Sequence, residues 1–471
     1  MKIRSILLLS LFCVRFEVFS QNRIGTGKVH ELYEQLCASC HGAELEGGLG
    51  NSLLDQSTWN EVGKTTNFLD YVKAGNLDKG MPGFGEALSD PQIRSLEIYI
   101  DEVAQQKERE GIAEELPVDG LYQAAGYNFK VETVVEDLEL PWSIAFMPDG
   151  GKLITERAGQ LRYSKDGTLS TIEGTPEVWQ HGQGGLLEVA LHPDFDQNGW
   201  IYLAFSHSGG KEKKKKVGMT KVVRGRVSRG QWIDEETIFE VPLEMQIPTG
   251  AHFGTRLVFQ DGYLFFGIGD RGRQPMVQDL SRPNGKIHRI HDDGRIPEDN
   301  PFADEAGSYP TVWTYGNRNP QGLDAHPVTG MIWESEHGPR GGDEINLIEP
   351  GKNYGWPVIT YGMNYSGTPI TEKTEAPGME QPKLYWTPSI AVCGIDFYEG
   401  DAFPEWKNNL FVGGLASEEL HRLVIEEDRV VSDEIVLRGL GRVRDVASGP
   451  DGFLYLVLNG PDGVVRLRPV E

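Results

Sequence analysis

The 471-residue sequence predicts a multidomain protein, in which a small all-α domain precedes an all-β six-bladed β-propeller. Three observations indicate this architecture. The chain is too long for one typical hydrophobic core. Helical patterns are confined to the residues before 106, and from Phe129 onward short β-rich segments alternate with turn signals. Within this second part, one strand–turn–strand phrase recurs six times.

The N-terminus has the pattern of a secretory signal peptide. Lys2 and Arg4 precede an apolar stretch over residues 6–14, and the small residue Ser20 stands before the expected cleavage site. A membrane anchor is the alternative, but the stretch is far shorter than the ~20 apolar residues that a spanning helix needs. We therefore expect residues 1–20 to be a signal peptide and the mature protein to be periplasmic or secreted, with no membrane span.

The charge balance excludes one class of partner. The chain carries 45 basic and 70 acidic residues, which gives a net charge of -25. Such a chain repels polyanions, so we expect no nucleic acid partner. An acidic surface is instead suited to solubility and to a basic redox partner.

A Cys-x-x-Cys-His motif follows the helical-looking segment at residues 27–36, in the order Cys37-Ala-Ser-Cys40-His41. A disulfide or half of a zinc site would explain the two cysteines alone, but the adjacent His is typical of c-type haem attachment. Two thiols at this spacing can both reach the edge of one porphyrin, and the next imidazole then faces the iron. We expect Cys37 and Cys40 to hold haem c covalently and His41 to ligate its iron.

A second iron ligand must come from elsewhere in the chain. Met81 lies in a Gly/Pro loop at residues 80–85. A single loop Met is more often a packing residue, but this loop and the helix after it resemble the class I cytochrome c pattern, which covers residues 24–105. The resemblance implies that Met81 is the other axial ligand, and that this small all-α cytochrome c domain carries electrons and does not bind oxygen.

The end of this domain is expected shortly after its last helix. Ser89 or Asp90 can cap that helix, and the helical pattern runs to about Val103. The following stretch, residues 106–128, is charged and has no apolar periodicity, so we expect it to be an interdomain linker. The propeller domain would then occupy residues 129–471.

The recurring phrase predicts how the second domain closes. A strand–turn–strand unit cannot cover its own apolar face, so the copies must pack on one another, and radial closure is usual for copies of this length. A β-sandwich or two small barrels is the alternative, but neither requires the turn to recur in phase. The six copies begin at Trp142, Leu187, Arg256, Gly322, Gly394 and Val443.

Glycine-rich loops with polar side chains stand at the expected strand ends. They include Gly182-Gln183-Gly-Gly, Gly250-Ala-His252-Phe-Gly254, Gly267-Ile-Gly-Asp270, Arg318-Asn319-Pro-Gln, Asp343-Glu344-Ile-Asn and Asn353-Tyr354-Gly-Trp-Pro. Together these strings resemble the soluble quinoprotein aldose sugar dehydrogenases of the glucose/sorbosone type, which are six-bladed propellers that use pyrroloquinoline quinone (PQQ) and calcium. The resemblance spans nearly all of residues 129–470.

The resemblance implies a role for each matching residue. His252 falls at the position of the general base that takes the proton of the anomeric hydroxyl, while a hydride passes to the quinone. Gln183 and Asp270 would lie beside substrate and cofactor. Arg318 and Asn319 would contact the quinone, and Arg442 with Arg444 would pair with its carboxylates. Rim ion pairs are the alternative role for these arginines.

Calcium is also implied by the resemblance. The carbonyls of Gly338 and Pro339 match the family's cofactor-calcium contacts, and Glu344 with Tyr354 matches a structural calcium site. Two departures stand out: Ala251 replaces an acidic residue found before the base in the longer glucose enzyme, and Ala416 stands where the family commonly has a quinone-contacting lysine.

The expected function is that of a periplasmic quinohaemoprotein sugar dehydrogenase. It would oxidise the anomeric carbon of aldoses to lactones and pass electrons from PQQ to haem c, then on to an external acceptor such as a cytochrome or similar redox protein. Two alternatives remain open from the sequence. One is a calcium-dependent propeller lactonase that carries a cytochrome, and the other is a non-catalytic carbohydrate-binding propeller.

Overall fold

A computed structural model describes residues 28–54, 68–112, 120–209 and 217–470. The expected signal peptide, residues 1–20, lies outside the described residues. No described helix is both long and apolar enough to cross a membrane.

The N-terminal domain is helical. Its elements are α1 (Lys28–Leu36), α2 (Ala38–His41), α3 (Phe68–Ala74), a 3-10 turn (Leu77–Lys79) and α4 (Asp90–Ile112). At the start of helix α4, Gln92 Oε1 accepts hydrogen bonds from both the backbone N–H and the hydroxyl of Ser89, at 3.0 and 2.9 Å, so the Ser89 N–H is satisfied as in one half of a capping box. The apolar side of α4 packs on α1 and α3 around the buried side chains Val29, Tyr33, Val72, Ile93, Leu96 and Ile100.

Helix α4 is longer than the sequence pattern indicated. It continues through Ile112, nine residues past Val103, and so occupies part of the stretch expected to be an irregular linker. The reason is local: residues 105–110 read Gln-Gln-Lys-Glu-Arg-Glu, all good helix formers, with no Gly or Pro to end the helix. Lack of apolar periodicity there therefore did not indicate irregular backbone.

The second domain is a six-bladed β-propeller, as the recurring phrase predicted. Its described strands form six antiparallel sheets. The first two blades comprise β3 (Pro141–Phe146), β4 (Lys152–Glu156), β5 (Leu161–Lys165), β6 (Thr168–Ile172), and β7 (Leu186–Leu191), β8 (Ile201–His207), β9 (Met219–Ser228), β10 (Gln231–Glu240), with a short helix α5 (Phe195–Asn198) before β8.

The next three blades have the same order. They comprise β11 (Leu257–Gln260), β12 (Tyr263–Ile268), β13 (Lys286–His291), β14 (Val312–Tyr315), then β15 (Pro320–Ala325), β16 (Ile332–Glu336), β17 (Asp343–Ile348), β18 (Leu384–Trp386), and β19 (Val392–Phe397), β20 (Leu410–Gly414), β21 (Glu419–Glu426), β22 (Arg429–Arg438). Three 3-10 turns lie in the connections, at Leu243–Met245, Gln274–Met276 and Pro404–Trp406.

The sixth blade closes the ring with strands from both ends of the domain. It combines β1 (Leu121–Ala124) and β2 (Tyr127–Val135) with β25 (Gly463–Pro469), β24 (Leu454–Asn459) and β23 (Arg442–Ser448). Strand β2 pairs antiparallel with β25, so that Phe129 lies opposite Pro469. This pairing joins the two ends of the propeller sequence, which removes an open sheet edge.

The first strand of each four-stranded blade, and β23 in the sixth, surround the propeller axis. Strands β3, β7, β11, β15, β19 and β23 contact one another in that cyclic order. Each of the six phrases recognised in the sequence coincides with an innermost strand and its neighbour, for example β3 with β4 and β23 with β24. The segments that enter and leave the innermost strands therefore converge at the two ends of one axis.

Candidate active site at the propeller axis

Several residues singled out by the sequence lie where the chain enters an innermost strand. Gln183 precedes β7, His252 precedes β11, and Arg318 precedes β15. The Gln183 and His252 loops touch through their backbones: the Gln183 N–H donates to the carbonyl of Gly250 at 2.7 Å. A Cβ on Gly182 would lie 2.4 Å from that same oxygen, so only glycine permits this approach.

His252 is held on three sides. Its backbone N–H donates to Gln183 Oε1 at 2.7 Å, and its ring Nδ1 lies 2.7 Å from Asp270 Oδ1. Its Nε2 lies 3.4 Å from Nη2 of Arg318. Since the Asp270 carboxylate is an acceptor, Nδ1 carries the proton and Nε2 presents its lone pair. The backbone of His252 has φ of +50°, a strained conformation of the kind found at functional sites.

The Asp270 carboxylate is buried and held by several hydrogen bonds. It is 1% exposed, and its Oδ1 also accepts from the Gly272 N–H at 2.6 Å. Its Oδ2 accepts from the indole Nε1 of Trp356 at 2.9 Å. The structure therefore places Asp270 as the residue that orients the His252 ring.

Charge and burial set the protonation of this pair. Burial lowers the pKa of His252 below its usual value, the positive charge of Arg318 lowers it further, and the bond to Asp270 offsets this only in part. Burial raises the pKa of Asp270, but the bond to His252 and the charge of Arg318 outweigh burial, so the net pKa is lowered. At neutral pH the site therefore holds a neutral imidazole beside an ionised carboxylate.

Arg318 is buried at the centre of the candidate site. Its Nη1 donates to the carbonyl oxygen of His337, its backbone N–H donates to the Glu336 carboxylate, and its guanidinium faces the Trp356 ring at 5.3 Å. Its Nε is buried and has no hydrogen-bond partner. A buried cation with an orphaned donor fits a ligand that carries carboxylates, as PQQ does.

The other predicted cofactor contacts are not equivalent. Arg442 is exposed, whereas the guanidinium of Arg444 is buried over the Trp142 ring at 4.0 Å and donates to Asn459 Oδ1 at 3.1 Å. Asn319 Oδ1 accepts from the Gly254 N–H at 3.3 Å and so joins two loops. Arg442 is thus the more available of the two arginines for an anionic ligand.

Another buried polar group without a hydrogen-bond partner lies next to Ala416, the residue that departs from the family pattern. The Ala416 N–H donates to the Ile390 carbonyl at 3.0 Å, and the hydroxyl of the neighbouring Ser417 is buried with no hydrogen-bond partner. The expected lysine is absent, but a polar group remains there. The donor set as a whole fits PQQ.

The predicted calcium positions fall in two places. The Gly338 N–H donates to Asp343 Oδ1 at 2.7 Å, and Pro339 follows in the same loop. Glu344 lies in a buried acidic cluster, where Asn346 Nδ2 is 3.2 Å from both Glu334 Oε2 and Glu344 Oε2. Glu334 Oε1 is buried and has no hydrogen-bond partner, which fits a cation that prefers oxygen ligands, such as calcium.

The hydroxyl of Tyr354 is hydrogen-bonded to nearby backbone groups. Its hydroxyl donates to the Leu347 carbonyl at 2.5 Å and accepts from the Glu349 N–H at 3.0 Å. The Tyr354 hydroxyl thus already donates one hydrogen bond and accepts another. Within the described parts of the chain, no three His, Cys, Asp or Glu side chains are arranged to hold a metal ion.

The haem motif forms the short helix α2 and the turn before it. Cys37 and Cys40 are free thiols, and Cys37 and Met81 both border the apolar cluster of the cytochrome domain. His41 Nδ1 donates to the Asn51 carbonyl at 2.8 Å, which fixes the ring and leaves Nε2 as the nitrogen that could bind iron. A Cβ on Gly50 would lie 2.8 Å from the His41 ring. These residues fit a covalently attached haem.

Two residues of the site were missed by sequence reasoning. Trp356 bonds Asp270, and Arg271 donates to the carbonyls of Thr249, at 2.6 Å, and Ala251 while its guanidinium covers the Phe253 ring at 3.3 Å. Arg271 therefore shapes the loop that carries His252. Arg271 directly follows Asp270, and Trp356 is part of Asn353-Tyr-Gly-Trp-Pro. Their positions in or beside the motifs were therefore the sequence feature that could have identified them.

Comparison with known families assigns both parts of the chain. A family model described as Glucose / Sorbosone dehydrogenase matches residues 138–467. A second, described as Cytochrome C oxidase, cbb3-type, subunit III, matches residues 26–100. Among curated proteins, the aldose sugar dehydrogenase YliI of Escherichia coli (strain K12) is 45% identical over 357 residues, which cover 74% of this chain and 94% of YliI.

Solved structures give the same result. The apo-form crystal structure of the soluble aldose sugar dehydrogenase from Escherichia coli superposes with a TM-score of 0.68 and 43% identity, and covers 73% of this chain and 100% of that one. The PQQ-bound aldose sugar dehydrogenase from Streptomyces coelicolor gives a TM-score of 0.59 and 28% identity, with 74% and 100% covered. The chain belongs to the glucose/sorbosone dehydrogenase family and carries a cytochrome c domain in front of its propeller.

Proposed function

We propose that this protein is a quinohaemoprotein sugar dehydrogenase that oxidises the anomeric carbon of aldoses to lactones. PQQ would be the primary acceptor, and the electrons would leave through haem c to an external redox protein. The proposal takes its substrate class and cofactor from relatives that are named aldose sugar dehydrogenases and from a PQQ-bound relative.

The observation that supports this chemistry best is the state of His252. The ring is neutral, its Nδ1–H is bound by Asp270, and its Nε2 lone pair is directed towards the Arg318 side. A base of this kind can remove a hydroxyl proton at neutral pH. The imidazolium that forms would be stabilised by the buried carboxylate of Asp270.

The other residues of the site would bind and orient. Arg318 and Asn319 would contact the quinone, and Arg442 with Arg444 would pair with its carboxylates. Gln183 would keep the His252 backbone in its strained conformation. When bound, PQQ would supply the hydride acceptor. Gly338 and Pro339 would provide carbonyl ligands for a calcium ion beside it.

The cytochrome domain would supply the exit for electrons. His41 and Met81 would bind the iron of a haem attached to Cys37 and Cys40, and a Met-ligated c-type haem is a one-electron carrier. The leader-like N-terminus supports export, and we propose a periplasmic location. Identification of the mature N-terminus by mass spectrometry tests it: a chain that retains residues 1–20 would contradict cleavage.

The deciding experiment reconstitutes the purified holocytochrome with PQQ and calcium, adds a panel of aldoses, and follows haem reduction by absorbance. We expect haem reduction that needs both PQQ and sugar, with a lactone as the product identified by mass spectrometry. Absence of PQQ-dependent sugar oxidation would reject the proposal. Hydrolysis of an added lactone without PQQ would instead support a lactonase, and sugar binding without turnover a carbohydrate-binding propeller.

A further inference from the structure

The cytochrome domain contacts the propeller beside the candidate active site. The loop at residues 337–342, here the bridging loop, follows β16 and begins at His337, whose carbonyl accepts from Arg318. Three residues later, Arg340 binds Glu102 of α4: its Nε lies 2.9 and 2.8 Å from the two carboxylate oxygens, and its Nη2 lies 2.6 Å from Oε2. One short loop therefore connects the residue beside His252 to a helix of the cytochrome domain.

The same loop also pairs with a propeller residue that packs into the apolar cluster of the cytochrome domain. Arg340 and Met363 form an antiparallel bridge with N–H to carbonyl distances of 3.0 and 2.9 Å. Met363 is 1% exposed and belongs to the apolar cluster of the cytochrome domain, together with Val29 and Tyr99. A propeller residue is thus part of the core of the other domain.

A third contact lies at the start of α1. The Lys28 N–H donates to the Ser366 carbonyl at 3.0 Å. Gly367 has φ of +77°, and a Cβ on it would lie 2.7 Å from Val29 Cγ1 and 3.0 Å from the Val29 backbone N, so this close approach favours glycine. Polar, apolar and backbone contacts together define one orientation of the domains.

The ion pair between Arg340 and Glu102 is largely shielded from solvent. The Arg340 and Glu102 side chains are only 11% and 9% exposed. Burial raises the pKa of Glu102, and the bond and charge of Arg340 act against this rise. Removal of one partner from a buried pair leaves the other charge uncompensated in a poorly solvated place, which is strongly destabilising.

We propose that Arg340 and Glu102 form a lock that holds the cytochrome domain at one fixed position on the bridging loop, so that the domain does not act as a mobile, tethered carrier. Both are positioning residues. The consequence for electron transfer rests on the proposed function: each aldose oxidised releases two electrons, the haem accepts them one at a time, and the external acceptor reoxidises it. The docking itself does not depend on that function.

The test uses full-length holoprotein with Glu102→Arg, which sets two buried cations against each other. Glu86→Arg is the matched control, because Glu86 is an exposed residue of the same domain and the charge change is identical. The double variant Glu102→Arg with Arg340→Glu restores a pair with reversed charges. Glu102→Gln removes the charge with little change of shape. Small-angle X-ray scattering measures domain separation, and stopped-flow absorbance measures sugar-driven haem reduction.

We expect the docking equilibrium constant to fall about a hundredfold in Glu102→Arg. Its maximum dimension should grow, its haem reduction should slow, and its sugar oxidation with a small dye acceptor should stay unchanged. The double variant should recover in both measurements, and Glu86→Arg should match the wild type. An unchanged haem spectrum shows that the domain is folded; if Glu102→Arg fails this check, Glu102→Gln replaces it.

A scattering curve for the folded variant that equals the wild type would overturn the lock. Loss of dye-linked oxidation in parallel with haem reduction would overturn the positioning role, since the defect would then lie in the propeller. If wild-type protein oxidises no sugar, the proposed function fails, while scattering still decides whether the ion pair docks the domains.

Discussion

Nδ1 of His252 and Oδ1 of Asp270 are 2.7 Å apart at the propeller axis, although the two residues belong to loops on either side of the β11–β12 hairpin. The contact fixes the tautomer of the imidazole and leaves Nε2 as the basic atom. Burial lowers the pKa of the ring, and the charge of Arg318, whose Nη2 lies 3.4 Å from Nε2, lowers it further. Burial and Arg318 together outweigh the hydrogen bond to Asp270, which raises the pKa.

The first prediction concerns this base. Replacement His252→Gln keeps a polar side chain but removes the proton acceptor, so we expect kcat/KM for dye-linked aldose oxidation to fall about a hundredfold or more. The haem spectrum should not change. His291→Gln, a substitution on strand β13 away from the axis, is the control and should keep the wild-type rate. A His252→Gln enzyme with full activity would remove the residue from the mechanism.

The second prediction follows from the charges on either side of the ring. Activity should fall on the acid side as His252 becomes protonated, at a pH below its ordinary pKa of 6.5, because its pKa is lowered. Arg318→Met removes a positive charge and should move this limb to higher pH. Asp270→Asn removes the partner that raises the pKa of His252 and should move it to lower pH.

Measurement of kcat/KM against pH for the three proteins tests this directly. Both variants will be slower, since both residues belong to the site, so only the position of the acid limb is diagnostic. Shifts of the two limbs in the same direction would show that another group titrates there.

The propeller architecture could be predicted because similar turn residues recur in the blades. The turn between the two inner strands of a blade carries Asp-Gly or a related pair, as in Asp149-Gly150 and Asp261-Gly262, and local signals of this kind are readable in sequence. The closing pair β2 with β25 was not predicted, because it joins segments more than 300 residues apart, as in the Phe129–Pro469 pairing. No local pattern encodes such a partner.

For the candidate site too, some features could be predicted from the sequence and others could not. The family resemblance predicted that His252, Asp270 and Arg318 share one site, but not the hydrogen bond that makes Asp270 an orienting residue. Burial of Arg444 over Trp142 and the pairing of Arg340 with Glu102 depend on packing between distant segments. These are tertiary contacts, and neither residue propensity nor motif spacing predicts them.

The third prediction concerns the haem. Thioether ligation raises the reduction potential of a His-ligated haem and fills its sixth position. Met81→Leu should therefore lower the midpoint potential in a redox titration and let carbon monoxide bind the reduced iron. Met331→Leu, an exposed position of the propeller, is the control and should change neither. If Met81→Leu keeps the potential and excludes carbon monoxide, another residue is the axial ligand.

The last prediction concerns stability and rests on His421, a buried residue of β21. Burial lowers its pKa, but the bonds to Asp433 at 2.7 Å and Glu419 at 3.3 Å outweigh burial and raise the pKa to about 9. Because this folded-state pKa lies above the ordinary value of 6.5, the stabilisation is complete below pH 6.5 and is lost as the pH rises through about 9. Calorimetry of the propeller transition between about pH 6 and about pH 10 should show this decline, and His421→Gln should flatten it. An equal decline in both proteins would assign the pH dependence to other groups.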